Sequence, residues 1–366
     1  MTPRRILAIK LRAMGDTLLM TAALTELRRA YPKAQIHALV TDSWAPLLEG
    51  HPGVDRVLSY SRRRNPASRA KTVAKLAIEL RREKYDLAVC FHASPSSSAL
   101  AFATGAPIRS VHFHGLKDKN RYSTVAIPGK GTVKPAIERD MDAVRALGIL
   151  VPEGRLPSVV LTPTEEKRGS EILSGLGLAD PILALGLGAS RPTKRWPLER
   201  FAELAVGWAK QTGGGVIAVV SPDELELWRK LESELVALLG RQGGSQELRK
   251  KVRLLEPRPI RELAAVLSRV AVLAGNDSGP RHLAVAVGRP TLTLIGPEHP
   301  LEWHPYPRDR HPYFYVPDLP CRRDALPGFP PWCALENCTV EQHRCMRLID
   351  VGPVLTESKR LMGSEA

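Results

Sequence analysis

Gly275–Pro297, GNDSGPRHLAVAVGRPTLTLIGP, decides the reading of the fold. It follows one short apolar run, Val270–Ala274, and closes on another, Thr291–Ile295, and both suit buried strands. Between them, Gly275-Asn276-Asp277-Ser278-Gly279 is turn chemistry, Pro280 suits the first position of a helix, and Gly288 with Pro290 suits its end. Strand, turn, helix and strand make one βαβ step. The start of such a helix leaves backbone N–H groups pointing outward and adds the positive end of the helix dipole, so the turn is a candidate anion site. Asp277 facing a phosphate would repel it. The role that fits Asp277 is acceptance of hydrogen bonds from sugar hydroxyls beside the phosphate. The competing reading is that Asp277 or Ser278 caps the helix.

Outward from this step the same alternation recurs. Strands are expected at Ile182–Gly186, Gly215–Val220 and Val252–Leu255, with helices at Leu198–Thr212, after Ser221-Pro222-Asp223-Glu224, and at Ile260–Arg269. Earlier in the chain, strands are expected at Ile6–Ile9, Ile36–Val40, Val54–Leu58 and Leu87–Phe91, with Lys10–Gly15 a loop. Helices are expected from Asp16-Thr17 to about Ala30, over Ala67–Glu83 and over Glu138–Leu147. The proline-punctuated stretch Ile149–Pro163 is the linker candidate. The pattern predicts two doubly wound α/β domains, each with a parallel sheet and an acidic residue at a β→α turn, and a ligand cleft between them. The length of 366 residues also favours two domains.

Composition narrows the partners. Hydrophobic residues make up 43% of the chain, yet no apolar run is long enough to span a bilayer. The first residues, MTPRRILAIKLRAMG, read as a strand rather than a signal peptide because Lys10 and Arg12 interrupt the apolar run, so a cytoplasmic protein is expected. The net charge of +15 favours anionic partners. With aromatics at 5% and no zinc-finger or RNA-binding motif, nucleic acid is not among the expected ones.

Individual residues carry the chemistry. The first β→α turn holds a single glycine, Gly15, where a nicotinamide-dependent oxidoreductase would need G-x-G-x-x-G. It presents Asp16 instead, at the end of a strand where open α/β sheets bind ligands; the competing reading is a helix N-cap. In the loop Gly188–Pro197, GASRPTKRWP, Lys194 can reach a diphosphate as a point charge and Ser190 offers a hydroxyl, while an ordinary exposed lysine is the alternative. Trp196-Pro197 anchors that loop and starts the next helix. His112–Arg121 reads as a basic loop, either solvated or facing an acidic ligand. Asp140-Met141-Asp142 spells D-x-D, but residues two apart on a helix point in different directions, so surface charge rather than a metal site is expected. Cys90 lies in a buried strand. Cys321, Cys333, Cys338 and Cys345 crowd the tail around His343 without paired C-x₂₋₄-C spacing, which leaves zinc, buried thiols and one disulfide all open.

Lys10–Leu24, KLRAMGDTLLMTAAL, Lys194-Arg195-Trp196-Pro197 and Asn276–Leu283, NDSGPRHL, fall in order over nearly the whole chain. Together they resemble the family 9 glycosyltransferases, the bacterial heptosyltransferases of lipopolysaccharide core synthesis. The resemblance implies the two-domain GT-B fold. Residues 1–155 would bind the acceptor, 156–345 the nucleotide sugar, and 346–366 would form a helix packing back toward the N-terminal domain. It implies an inverting, metal-free transfer from a nucleotide-activated sugar, typically ADP-heptose, with no cofactor.

By matching positions, the catalytic base falls on Asp16 and the diphosphate-binding lysine on Lys194. Donor contacts fall on Ser190, Asp277, Ser278, Gly279, His282 and, more weakly, Glu224. Ala189 departs from the hydroxyl residue that some members carry there. An acidic, lipid-linked glycan acceptor would give the basic charge of Arg62-Arg63-Arg64, Arg69, Lys71, Arg81, Arg82 and Lys84 a use at the anionic inner membrane surface. A monomer is expected. Two other function classes share these features: a non-catalytic nucleotide-sugar or glycan-binding module on the same fold, and a nicotinamide oxidoreductase.

Overall fold

The computed structural model describes the chain except residues 1, 62–64, 93, 113–119, 128–133, 243–245, 325–329, 341–342 and 364–366. Its contacts divide it into two units, Met1–Val160 and Leu161–Ala366, a break slightly C-terminal to the expected one after residue 155.

The first unit runs β1 (Arg5–Lys10), α1 (Met14–Ala30), β2 (Gln35–Thr41), β3 (Arg56–Tyr60), α2 (Pro66–Arg82), β4 (Leu87–Cys90), α3 (Pro95–Ala103), β5 (Ile108–Val111) and α4 (Ala136–Arg145). Its described strands form one parallel sheet in the order β3-β2-β1-β4-β5. The order reverses between β1 and β4, so the loops after these two strands flank the switch point, where open α/β sheets place ligands. Leu7, Ile9, Leu39, Ala88 and Leu100 fill part of its core.

Two expectations fail here for one reason. Lys10 belongs to the strand and is 3% exposed, and Asp140 is 1% exposed rather than a surface charge. Lys10 Nζ donates to both Asp140 carboxylate oxygens, at 2.6 and 2.5 Å, across the end of β1. A buried charge survives only when paired and hydrogen-bonded. Pairing of that kind depends on tertiary packing and leaves no mark in local periodicity. Asp142 is buried as well, bonded to Lys134 and Arg145. The reading of D-x-D as solvated is thus corrected.

The second unit runs α5 (Pro163–Gly175), β6 (Leu183–Gly186), α6 (Leu198–Thr212), β7 (Val216–Val219), α7 (Leu225–Gln242), α8 (Gln246–Lys250), β8 (Val252–Leu255), α9 (Ile260–Leu267), β9 (Val272–Asn276), α10 (Gly279–Ala286), β10 (Thr291–Ile295), α11 (Pro300–Trp303), β11 (Tyr313–Tyr315), α12 (Arg344–Arg347) and α13 (Val351–Met362). Its described strands form a parallel sheet ordered β11-β10-β9-β6-β7-β8, with the switch point between β6 and β9. At that seam Gly186 pairs with Gly275, and a Cβ on Gly275 would stand 2.7 Å from the Gly186 Cα, so only glycine fits.

Pro163, read as the end of the linker, opens α5. Thr162 accepts from the Glu165 N–H at 3.3 Å while Glu165 accepts from the Thr162 N–H at 2.8 Å, a capping box. The closing helix α13, expected to pack back toward the N-terminal domain, lies on α6, β9 and β10 of its own unit, where Val354, Leu355 and Leu361 join the core.

Candidate functional site

The loops after β6 and β9 meet at the switch point of the second unit. Asn276, at the end of β9 and fully buried, ties the two together. Its Oδ1 accepts from the Trp196 N–H at 2.8 Å, and its Nδ2 donates to the Leu187 carbonyl at 2.8 Å. Both ends of the β6 loop are thereby fixed against β9. Trp196 is 1% exposed, packs edge-on against Phe201, and donates its ring N–H to the Ile349 carbonyl at 3.1 Å, so it anchors the loop as expected.

Lys194 and Asp277 come together across this seam. Lys194 Nζ stands 2.6 Å from Asp277 Oδ2, with the two side chains 11% and 6% exposed. Asp277 Oδ1 accepts from Arg281 one turn into α10, and Arg281 is fully buried. Burial alone pushes the Asp277 carboxyl up, but the Lys194 and Arg281 cations outweigh it and hold the group ionised, well below the ordinary carboxylate range. The triad carries two cations and one anion, a net charge of +1 fixed in place.

Arg281 is further held by the Trp303 carbonyl at 2.5 Å and His304 Nδ1 at 3.1 Å. His304 Nε2 in turn bonds the His311 carbonyl at 2.5 Å. Burial and the Arg281 charge push His304 down to about 3, so it is neutral and can accept from Arg281. His282 also lies buried, bonded through Nδ1 to Tyr306 and pushed well below its ordinary range by burial and then by Arg281.

Neither Asp277 nor Ser278 caps α10: Ser278 is the N-cap residue, but no side-chain hydrogen bond closes the helix start, and Pro280 is its second residue rather than its first. Ser190 is exposed on the same loop as Lys194. Glu224 turns inward to the loop backbone. Its Oε1 accepts from the Ala189 N–H at 3.1 Å and from Arg195 at 3.3 Å, and its Oε2 accepts from the Ser221 hydroxyl at 2.8 Å. A Cβ on Gly188 would meet that carboxylate at 2.1 Å. The geometry gives Glu224 a grip on the loop.

In the first unit, Asp16 lies at the switch point, within the first turn of α1 rather than at its N-cap. The N-cap residue is Ala13, and the Asp16 carboxylate stands 3.7 Å from Arg12 Nε with its side chain 22% exposed. The buried Asp140 feels it: burial foremost, with Asp16 adding to it and Lys10 opposing, raises the Asp140 carboxyl to about 6. Burial and the charge of Arg12 push His92, after β4, down to about 4.

Reading the sequence missed Arg281, Asn276 and the pair of Glu298 with Arg191, whose guanidinium bonds the carboxylate beside the same loop. One signal was available for Arg281: it stands four residues after Asp277, the spacing at which opposite charges meet on a helix. Of the basic positions singled out, Arg62–Arg64 and residues 113–119 of the His112–Arg121 loop lie outside the described residues. Arg69, Lys71, Arg81, Arg82 and Lys84 are exposed on α2 and just beyond its end.

A lysine beside a helix start at the switch point of a doubly wound unit has the make-up of an anion site. Residues 73–323 match the model of glycosyltransferase family 9 (heptosyltransferase), and the chain belongs to that family of glycosyltransferases. The match includes Lys194 and Asp277 and begins after Asp16. The chain is 24% identical over 310 residues to lipopolysaccharide heptosyltransferase 3 of Escherichia coli, covering 81% of this chain and 83% of that one. It superposes on a family 9 glycosyl transferase from Veillonella parvula with a TM-score of 0.76, at 20% identity and 99% and 98% coverage. It also superposes on an E. coli heptosyltransferase solved with ADP-2-deoxy-2-fluoro heptose, with a TM-score of 0.62, 21% identity and coverage of 86% and 93%. The resemblance, the GT-B fold class and the enzyme class read from the sequence motifs are borne out.

Proposed function

We propose that the protein is an inverting, metal-independent glycosyltransferase that moves heptose from an ADP-activated donor to a lipopolysaccharide-core-type acceptor. The observation that carries this reading is the Lys194–Asp277–Arg281 triad beside the uncapped start of α10. The support for the donor is the family membership together with the ADP-sugar analogue bound by the E. coli relative.

In this reading the diphosphate lies against the α10 N–H groups and the Lys194 ammonium, which has donors to spare after serving Asp277. Asp277 keeps lone pairs free for sugar hydroxyls. An acceptor hydroxyl attacks the anomeric carbon from the face opposite the diphosphate and forms the new C–O bond while the bond to the leaving phosphate oxygen breaks. Asp16 takes the hydroxyl proton. The electron pair leaves on the diphosphate, where Lys194 and the helix start stabilise the growing negative charge. Ser190, Ser278 and Gly279 border the donor phosphates; Glu224 and His282 act through the loop and the helix they hold.

We place the acceptor at the cytoplasmic face of an anionic membrane and assign its attraction to the exposed basic residues of α2. No helix among the described residues is long and apolar enough to cross a membrane. The test is a thermal-shift panel of ADP-, UDP-, GDP- and dTDP-sugars, followed by mass detection of product with core acceptors. Selective stabilisation by ADP-sugars with product formed supports the proposal. Stabilisation with no product from any donor makes the protein a binding module instead.

A further inference from the structure

Between β11 and α12 the chain makes a long excursion with no helix or strand among its described residues. Irregular segments of that length need something other than a ladder of backbone bonds to hold them. Cys321, Cys333, Cys338 and Cys345 all border one cavity of about 20 Å³ beside it, and all four are free thiols. The isolated bridge between Asp324 and Trp332 folds the first of them back toward the second, and the Cys333 N–H bonds the Pro297 carbonyl at 3.0 Å.

The fifth wall is cationic. Arg322 is 6% exposed and donates to the carbonyls of Val316 and Gly296 at 2.6 Å each, yet its Nε, buried, has no acceptor. A buried N–H is costly while no acceptor faces it, and a thiolate can accept.

We propose that these four cysteines are the ligands of a single soft divalent metal ion, bound with its sulfurs in a tetrahedron, the arrangement zinc or iron takes with thiolates. Binding releases four protons to solvent, and Arg322 offsets half of the resulting site charge of −2. Among the described residues no three candidate ligands stand together as a formed metal group, so the ion draws the sulfurs in around it. Its function is structural and reaches the donor loop. Thr193 Oγ1 donates to the Leu335 carbonyl at 2.8 Å, His343 Nε2 donates to the Thr193 carbonyl at 2.7 Å, and Arg191 Nη1 donates to the Cys333 carbonyl at 3.1 Å. Folding the excursion around a metal fixes the loop that carries Lys194. That consequence for the donor rests on the proposed function; the metal does not.

Elemental analysis of the full-length protein, purified without a metal-chelating tag, tests the proposal. About one zinc or iron per chain is expected, falling to near zero in Cys338→Ser, which alters the exposed thiol. Loading the metal-free wild type with cobalt(II) should give the intense near-ultraviolet sulfur-to-metal absorption of a four-thiolate site, whether or not the variant folds. Adding zinc to that metal-free protein should raise its Tm. A metal-free preparation that gives no cobalt band, or intact-mass evidence that the four cysteines pair as disulfides, overturns the proposal whatever the donor assay reports.

Discussion

Lys194 Nζ and Asp277 Oδ2 stand 2.6 Å apart although they come from loops on neighbouring strands, β6 and β9. The pair joins two motifs separated by about eighty residues of sequence into one charged surface.

Lys194→Ala removes the cation that serves both Asp277 and, in the proposed function, the diphosphate. Asp277 keeps Arg281, so the fold survives. Transfer kcat should fall about 100- to 1,000-fold, the usual loss for one charge-stabilising donor, and ADP should bind more weakly. Steady-state kinetics and calorimetric titration with ADP check both; unchanged kinetics would remove Lys194 from the mechanism.

Arg281→Gln acts on stability before activity. It leaves Asp277, the Trp303 carbonyl and His304 without their shared guanidinium in a buried setting. Loss of one partner of a buried pair costs about 3–5 kcal/mol. Arg281→Lys should not restore it, because an ammonium cannot serve three acceptors in a fixed fork. Urea denaturation of the two variants tests this.

Acid should weaken the second unit before its carboxylates are titrated. His304 and His311 are pushed down by burial to about 3 and about 4 in the folded chain, from 6.5. The unfolded chain therefore binds more protons as pH falls from about 6.5 toward 4, so the stability present above 6.5 is lost through that window. The slope is on the order of 1.4 kcal/mol per pH unit for each histidine that differs. Urea midpoints across that range should fall in the wild type and fall less steeply in His304→Asn; equal slopes would contradict it.

The exposed basic residues of α2 give a salt-dependent prediction. Reversing the exposed Arg69, Lys71 and Arg82 to Glu should reduce cosedimentation with anionic vesicles, and raising salt should do the same to the wild type. Activity on a water-soluble acceptor analogue should be unaffected.

Much of this was legible in the chain. Apolar runs such as Ile6–Ile9 and Thr291–Ile295 marked strands because a parallel sheet buries both faces. The turn at Asp277 and the loop at Lys194 stood out because special backbone needs small residues. What stayed hidden depends on tertiary pairing. Lys10 and Asp140 look like surface charges until their partner is known, and Asn276 looks like turn chemistry until both its hydrogen bonds are seen. β5 has polar Arg109 and Ser110 at its centre and β11 only three residues, so neither shows an apolar run, and α5 was hidden by a proline read as linker, although Thr162 and Glu165 had the spacing of a capping box.

The most direct test of the account is Asp16→Asn, assayed for transfer from ADP-heptose and for ADP affinity on the same preparation. The account predicts that transfer falls below detection while ADP affinity stays within about twofold of the wild type, because the carboxylate acts on the acceptor proton and not on the donor. Wild-type turnover in that variant would contradict it.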